Sequence, residues 1–177
     1  MKSLLNVSKL DYIAIDDIEK EEFDLVHILE EIIEKFKWQN TELNWVVNYH
    51  NKPRNIDADL EKIIVALENI FDNQIRYAEK LIKVEVISGD EIVFNIDDED
   101  TNEIDSKMNK ELGEESIFIK IFNDGSPISK ETMENLFSRF NKGDEGEFGL
   151  GLAFVKTIID RHDGEIWVDN ENEGISF

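Results

Sequence analysis

The sequence predicts an α+β domain in two layers, with helices on one face of a mixed sheet. Three observations predict it. Long stretches carry apolar residues at helical spacing. Several short runs alternate in the manner of strands, two of them joined at Gly89-Asp90. The two kinds interleave in the order α, β, α, β, β, β, α, α, β, β. With 177 residues, 41% of them hydrophobic, the chain can bury a real core and is not disordered throughout.

Met1–Leu10 carries Leu4, Leu5, Val7 and Leu10 and reads as a helix end. Asp16-Asp17 and Glu19–Glu22 form an acidic connector. Asp24 can cap a helix whose apolar positions are Leu25, Ile28, Leu29, Ile32, Ile33 and Phe36. Trp45, Val47 and Tyr49 alternate with Asn44, Val46 and Asn48, which predicts a strand, and Pro53 and Asn55 mark a turn. A second long helix is expected from about Ala58 to Glu79, capped by Asp57. Strands Leu81–Ile87 and Glu91–Ile96 follow. Residues 97–116 are acidic with little periodicity and read as a loop inserted in the domain. Ile117–Phe122 reads as a strand buried on both faces. Then come a turn (Asn123–Ile128), a short helix around Lys130–Phe140, a polar Gly-rich loop (Asn141–Phe148) and a helix from about Leu150 to His162. Gly164 fits its C′ position. Ile166–Val168 and Ile175–Phe177 read as closing strands.

Bulk properties exclude several classes. Without cysteine there are no disulfides and no thiolate metal sites. No apolar run approaches the ~18 residues of a membrane span, and no signal peptide opens the chain, so a cytosolic location is expected. Membrane anchorage of a longer protein stays open. A formal net charge of −22 repels a phosphate backbone, so nucleic acid is excluded as a partner. Most simply, the charge serves solubility.

Three clusters carry chemistry. In the second long helix, at about 100° per residue, Leu60, Ile63, Ile64, Leu67, Ile70 and Phe71 share one face. Asn69, Asn73 and Arg76 fall in a narrow sector opposite, with Tyr77 at its edge. Asn is a mediocre helix former, so two in mid-helix call for a reason. An amide oxygen can ligate Mg²⁺ and a guanidinium can meet phosphate oxygens. A solvated polar face is the plainer reading. Next, Asn123 at a strand end can accept from and donate to a purine edge, and Gly125 lets a backbone approach closely. An ordinary turn is the plainer reading there. Last, Gly146-Glu-Phe-Gly149-Leu-Gly151-Leu152 places glycines before a helix, where amides can face an anion. It is neither a Walker loop nor a Rossmann fingerprint. A loop that only caps a helix would look similar.

With these clusters placed, the chain from about Phe23 to Phe177 resembles the catalytic, ATP-binding domain of two-component sensor histidine kinases, in the ATPase group that includes gyrase, Hsp90 and MutL. Leu67-Glu-Asn69-Ile-Phe-Asp-Asn73-Gln74-Ile-Arg76-Tyr77 resembles the N box. The resemblance makes Asn73 the Mg²⁺ ligand and Asn69 a polar partner near the metal and phosphates. Arg76 stands where a phosphate-facing Lys is usual, beside Tyr77, and Gln74 replaces a common small Ala. Asn123-Asp124-Gly125-Ser126-Pro127-Ile128 resembles the G1 box, with Asn123 where an Asp usually accepts from the adenine amino group. A neutral amide should hold adenine less firmly. Pro127 replaces a second Gly. Leu136-Phe137-Ser-Arg139-Phe140 resembles the F box, Gly149-Leu150-Gly151-Leu152 the G2 box, and residues 141–148 a short ATP lid that includes Lys142.

The resemblance implies a Bergerat-type sandwich of about five strands and about three helices over residues 21–177. Residues 1–20 would be the tail of a dimerisation helix and a linker. It implies ATP and Mg²⁺ as ligands and γ-phosphoryl transfer to a His on a dimerisation domain absent from this chain. A response-regulator receiver domain is the expected partner. None of His27, His50 or His162 has the acid and Pro that follow such a His, so the chain reads as a fragment. The fragment is expected to be a monomer unable to autophosphorylate alone, and the full-length protein a homodimer. A non-catalytic nucleotide sensor of the same fold and a serine kinase of the anti-sigma-factor type are the alternatives.

Overall fold

The computed structural model describes residues 17–50, 55–88, 116–138, 151–171 and 173–177. The expected helix end at Met1–Leu10, the Pro53 turn, the strand Glu91–Ile96, nearly all of the insertion 97–116 and the lid 141–148 lie outside these residues. In chain order the elements are β1 (Glu21–Phe23), α1 (Leu25–Gln39), β2 (Asn44–His50), β3 (Ile56–Ala58), α2 (Leu60–Tyr77), β4 (Leu81–Ser88) and β5 (Ile117–Asn123). Then follow α3 (Lys130–Asn135), α4 (Gly151–Arg161), β6 (Asp169–Glu171) and β7 (Gly174–Ser176).

A mixed five-stranded sheet has the order β2-β4-β5-β7-β6. The β2–β4 pair is parallel, with α2 in the crossover, and the others are antiparallel. Alternation decides what each face does. Trp45, Val47 and Tyr49 on β2 and Ile82, Val84 and Val86 on β4 sit opposite one another and point into the core. They meet the predicted stripe of α1, where Leu25, Leu29, Ile32, Ile33 and Phe36 are buried. Phe71 of α2 joins the layers, 5.6 Å from the Phe36 ring and 6.1 Å from that of Trp45. Each such side chain contributes about 2 kcal/mol by leaving water. The expected two-sided burial of β5 holds for Phe118 and Phe122, which face away from this core. The Trp167 ring lies 5.8 Å from Phe118, and the Lys83 ammonium 5.1 Å from the centre of Phe122. Among the described residues no helix is long and apolar enough to cross a membrane.

Side-chain caps set the helix boundaries. The Asp24 carboxylate accepts from the N–H groups of Val26 (2.9 Å) and His27 (3.1 Å), as predicted. At α2 the cap is Asp59, not Asp57, because residues 56–58 pair with residues 21–23 in a small two-stranded sheet. That pairing also makes a strand of part of the acidic connector. Asp59 accepts from the Lys62 N–H (3.1 Å), the Glu19 N–H (3.0 Å) and the Lys62 ammonium (2.7 Å). Its own N–H donates to His162 Nε2 (3.0 Å), while His162 Nδ1 bonds the Ile158 carbonyl (2.8 Å). A carbonyl can only accept, so His162 is neutral with its proton on Nδ1. It joins the end of α4 to the start of α2 and is a structural histidine.

The end of α4 also departs from expectation. Asp163, not Gly164, takes the left-handed conformation (φ 57°). Gly164 N–H then bonds the Ile159 carbonyl (3.0 Å) and Asp163 N–H that of Asp160 (3.2 Å), which is the Schellman arrangement. The predicted strand Ile166–Val168 is not formed; the ladder begins at Asp169. Trp167 instead lies against Phe118, and Ile166 packs against the core.

A second carboxylate joins the loop after α2 to the end of β5. Asp124 accepts from the backbone N–H groups of Glu79 (2.9 Å), Lys80 (3.0 Å) and Leu81 (3.0 Å). Burial pushes its carboxyl up, but the N–H groups of Lys80, Leu81 and Glu79 outweigh that and hold it below the usual range. Asp59 follows the same pattern: burial raises it, and Lys62 with the Glu19 N–H more than offsets the rise. Both folded values are depressed, so both contributions are complete above the unfolded carboxylate value of about 3.9. They are lost as pH falls through the folded values. Urea unfolding should show Asp124→Ala destabilised by about 2 kcal/mol at pH 7. The gap to the unaltered chain should close as the pH falls from the unfolded carboxylate value of about 3.9 through the depressed folded value. A gap that is unchanged in acid contradicts the assignment.

Candidate functional site

Helix α2 positions the polar groups. Its buried side runs through Ile63, Leu67, Ile70, Phe71 and Gln74. Asn69 and Asn73 lie beside that stripe and are half-buried, rather than opposite it in solvent as predicted. The difference comes from α4, which packs along this flank. Asn69 Nδ2 donates to the Val65 carbonyl one turn back (2.7 Å), which leaves Oδ1 toward α4. There Gly151 opens α4, so close that an added Cβ would stand 2.9 Å from Asn69 Oδ1. The positive end of α4 therefore lies next to the amide side of α2. Asn73 makes no side-chain hydrogen bond among the described residues, so its carbonyl oxygen has both lone pairs available. Arg76 and Tyr77 are exposed at the C-terminal end.

The turn after β5 meets the same helix. Asn123 is 1% exposed. Its Oδ1 accepts from the Gly125 N–H (2.8 Å) and its Nδ2 donates to Gln74 Oε1. Gly125 lies against the Tyr77 carbonyl, where an added Cβ would stand at 2.1 Å. Only glycine fits such an approach. Asp124 anchors the start of the turn as described above. Asn170 of β6 anchors its end, accepting from the Ile128 N–H (2.9 Å) and donating to the Ile128 carbonyl (2.7 Å).

Two predicted segments thus touch one helix: Gly151 at Asn69, and the Asn123–Gly125 turn at Gln74 and Tyr77. Ile128 is held toward β6 instead, and Leu152 turns into the core. Phe140, Lys142, Gly149 and Leu150 lie outside the described residues. Leu136 and Phe137 pack against the core, Phe137 edge-on to Phe177 at 6.2 Å. Gln74, Asp124 and Asn170 were missed as positioning residues. Gln74 carried a signal, a polar residue in the apolar phase of its helix. Asp124 and Asn170 carried none, since their partners lie about forty residues away in sequence.

A cavity of about 480 Å³ lies elsewhere, lined by Leu67, Ile117, Ile119, Ile166, Trp167 and Phe177 among others. Its largely apolar wall offers little to a triphosphate, and Asn69, Asn73 and Asn123 are not part of it. No group of three or more His, Cys, Asp or Glu suited to a metal exists among the described residues. An amide oxygen such as that of Asn73 suits a hard cation that keeps most of its water or takes ligands from a bound anion, as Mg²⁺ does.

Residues 58–177 match the family described as histidine kinase-, DNA gyrase B-, and HSP90-like ATPases. The sensor histidine kinase CssS of Bacillus subtilis is 34% identical over all 177 residues, which correspond to 34% of its own length. The chain spans about a third or less of the length of the curated relatives it matches. Among solved structures, the catalytic domain of histidine kinase ThkA superposes with a TM-score of 0.67 at 25% identity, covering 89% of this chain and 91% of that one. ThkA in complex with the response regulator TrrA gives 0.63 at 22% identity, over 98% of this chain and 47% of that one, a likeness of fold. Fold, motif contacts and relatives agree: the chain belongs to the histidine kinase-, DNA gyrase B- and HSP90-like ATPases, as an ATP-binding catalytic domain of the sensor histidine kinase type.

Proposed function

We propose that the chain holds Mg-ATP along the amide side of α2 for γ-phosphoryl transfer to a histidine on a separate dimerisation domain. The observation that carries this reading is the meeting of two distant segments, the Asn123–Gly125 turn and the start of α4, on the asparagine-bearing helix α2. Asn73, half-buried and uncommitted, would supply the metal's protein ligand. Asn69 would orient the phosphate end, and the first amides of α4, beside it at Gly151, would face phosphate oxygens. Arg76 would add a positive charge against the field of a chain at −22. Asn123 would receive the purine edge at the other end of the turn. Mg²⁺, when bound, neutralises phosphate charge during the transfer. This chain's part is to hold and orient the donor, since no described residue is placed as a general base.

The alternatives are not favoured: relatives that match along the whole chain are sensor histidine kinases, which argues against a serine kinase or a silent sensor. ThkA was solved with a response regulator, which supports a receiver domain as the next phosphoryl acceptor here. We further propose that the domain works on the cytoplasmic side, that the whole protein is a homodimer and that this chain alone is a monomer.

Thermal unfolding tests the reading. Mg-AMPPNP at about 100 times its Kd stabilises a folded state by about 2.7 kcal/mol. For a domain of this size that raises the Tm by about 5–10 °C. Asn73→Ala is expected to abolish the magnesium-dependent part of the rise while leaving the nucleotide-free Tm nearly unchanged. No shift at millimolar nucleotide in the unaltered chain would sink the proposal. The two glycine approaches should separate. Gly125→Ala drives a Cβ into backbone and is expected to lower nucleotide-free stability by about 1–3 kcal/mol in urea. Gly151→Ala crowds a side-chain oxygen and should mainly weaken nucleotide binding; equal stability losses would contradict this.

A further inference from the structure

Two residues depart from the pattern of the motifs, and the fold puts them in contact. Gln74 stands where a small residue is usual and Asn123 where an acid is usual. Gln74 Oε1 accepts from Asn123 Nδ2. Gln74 is fully buried, and its Nε2 has no hydrogen-bond partner. A buried amide donor left unpaired is costly, so the arrangement needs a reason.

An Asn side chain has two ends of opposite character. A carboxylate at this position could only accept. An amide can turn over and donate instead. That ambiguity matters at a purine, because adenine offers an amino donor at its six-position where guanine offers a carbonyl acceptor. In this structure the amide cannot turn over freely. The Gly125 N–H holds Oδ1 on one side (2.8 Å). Gln74 Oε1 holds Nδ2 on the other. Turning Asn123 over would set N–H against N–H and oxygen against oxygen, with both side chains buried. Oδ1 still has a second lone pair, on the acceptor end of the group.

We propose that Gln74 is a specificity-determining positioning residue: by accepting from Asn123 Nδ2, it locks Asn123 as an acceptor toward the base and so selects adenine over guanine. This rests on the nucleotide site proposed above. The pair restores by geometry what the missing carboxylate would supply by charge. The unpaired Gln74 Nε2 is the counterpart of this lock, since Oε1 must be the atom turned toward Asn123.

Calorimetric titration of the 177-residue chain with Mg-AMPPNP and Mg-GMPPNP tests the inference. The unaltered chain is expected to prefer the adenine analogue by at least roughly tenfold, the scale of one well-placed hydrogen bond. Gln74→Met keeps the volume and removes the acceptor, so the preference should collapse toward unity. Gln74→Glu keeps an acceptor and should retain it. In an Asn123→Asp background the acceptor is permanent, so Gln74→Met should no longer change the preference, a coupling that a merely structural residue would not show. A Gln74→Met chain that binds the adenine analogue with its preference intact overturns the inference alone. If the unaltered chain binds neither analogue, the nucleotide reading itself fails. Should Gln74→Met not fold, Asn123→Asp decides: a preference kept or raised supports the lock, and its loss overturns it.

Discussion

Two backbones come nearer to α2 than a β-carbon would allow. At Gly125 the turn after β5 rests on the Tyr77 carbonyl, and at Gly151 the first residue of α4 rests on the Asn69 amide. These approaches hold the site together, because they bring two distant stretches of chain onto one helix. They are possible only because α2 is itself immobilised. Its apolar stripe is seated on the sheet through Leu67, Ile70 and Phe71, and its first turn is held by Asp59, Lys62 and His162. A helix free to roll by one residue would lose both glycine contacts and bury an asparagine instead.

Partly buried polar groups serve as joints between elements. Asp124 ties the α2–β4 loop to β5, Asn170 ties the turn to β6, and His162 ties α4 to α2. Each satisfies backbone groups that would otherwise be unpaired at an element's end. The turn after β5 is thereby pinned at both ends, so its geometry does not depend on a ligand. This matters in a chain with a net charge of −22. An anionic ligand must be met by oriented N–H groups and amides, since the surface as a whole repels it.

Much of this was legible in the sequence. The stripes of α1 and α2 read out correctly because burial on one side of a helix imposes its period on the residues. The β2 and β5 alternation did the same for the sheet. Asn69 and Asn73 stood out as polar residues in mid-helix, where local propensity argued against them, whereas Asn123 looked locally like part of an ordinary turn. What failed was set by pairing at a distance. Ile56–Ala58 became a strand because Glu21–Phe23 lies alongside, which moved the cap of α2 to Asp59. Ile166–Val168 has strand-like residues but lies outside the ladder, which begins at Asp169, and its Trp167 and Ile166 pack on Phe118 and the core instead. Asp163 took the left-handed turn although a glycine stood next to it. The bond from Asn123 to Gln74 spans 49 positions in sequence and has no local signature.

The central claim is that nucleotide is held where these segments meet on α2, and not in the apolar cavity beside β5. Amide-resolved NMR during titration with Mg-AMPPNP tests it most directly. The account predicts shifts at the backbone amides of Gly125 and Gly151 and at the side-chain NH₂ groups of Asn69, Asn73 and Asn123, with Ile119 and Trp167 nearly still. Shifts confined to Ile117, Ile119, Ile166 and Trp167, with the three asparagines unmoved, would contradict it.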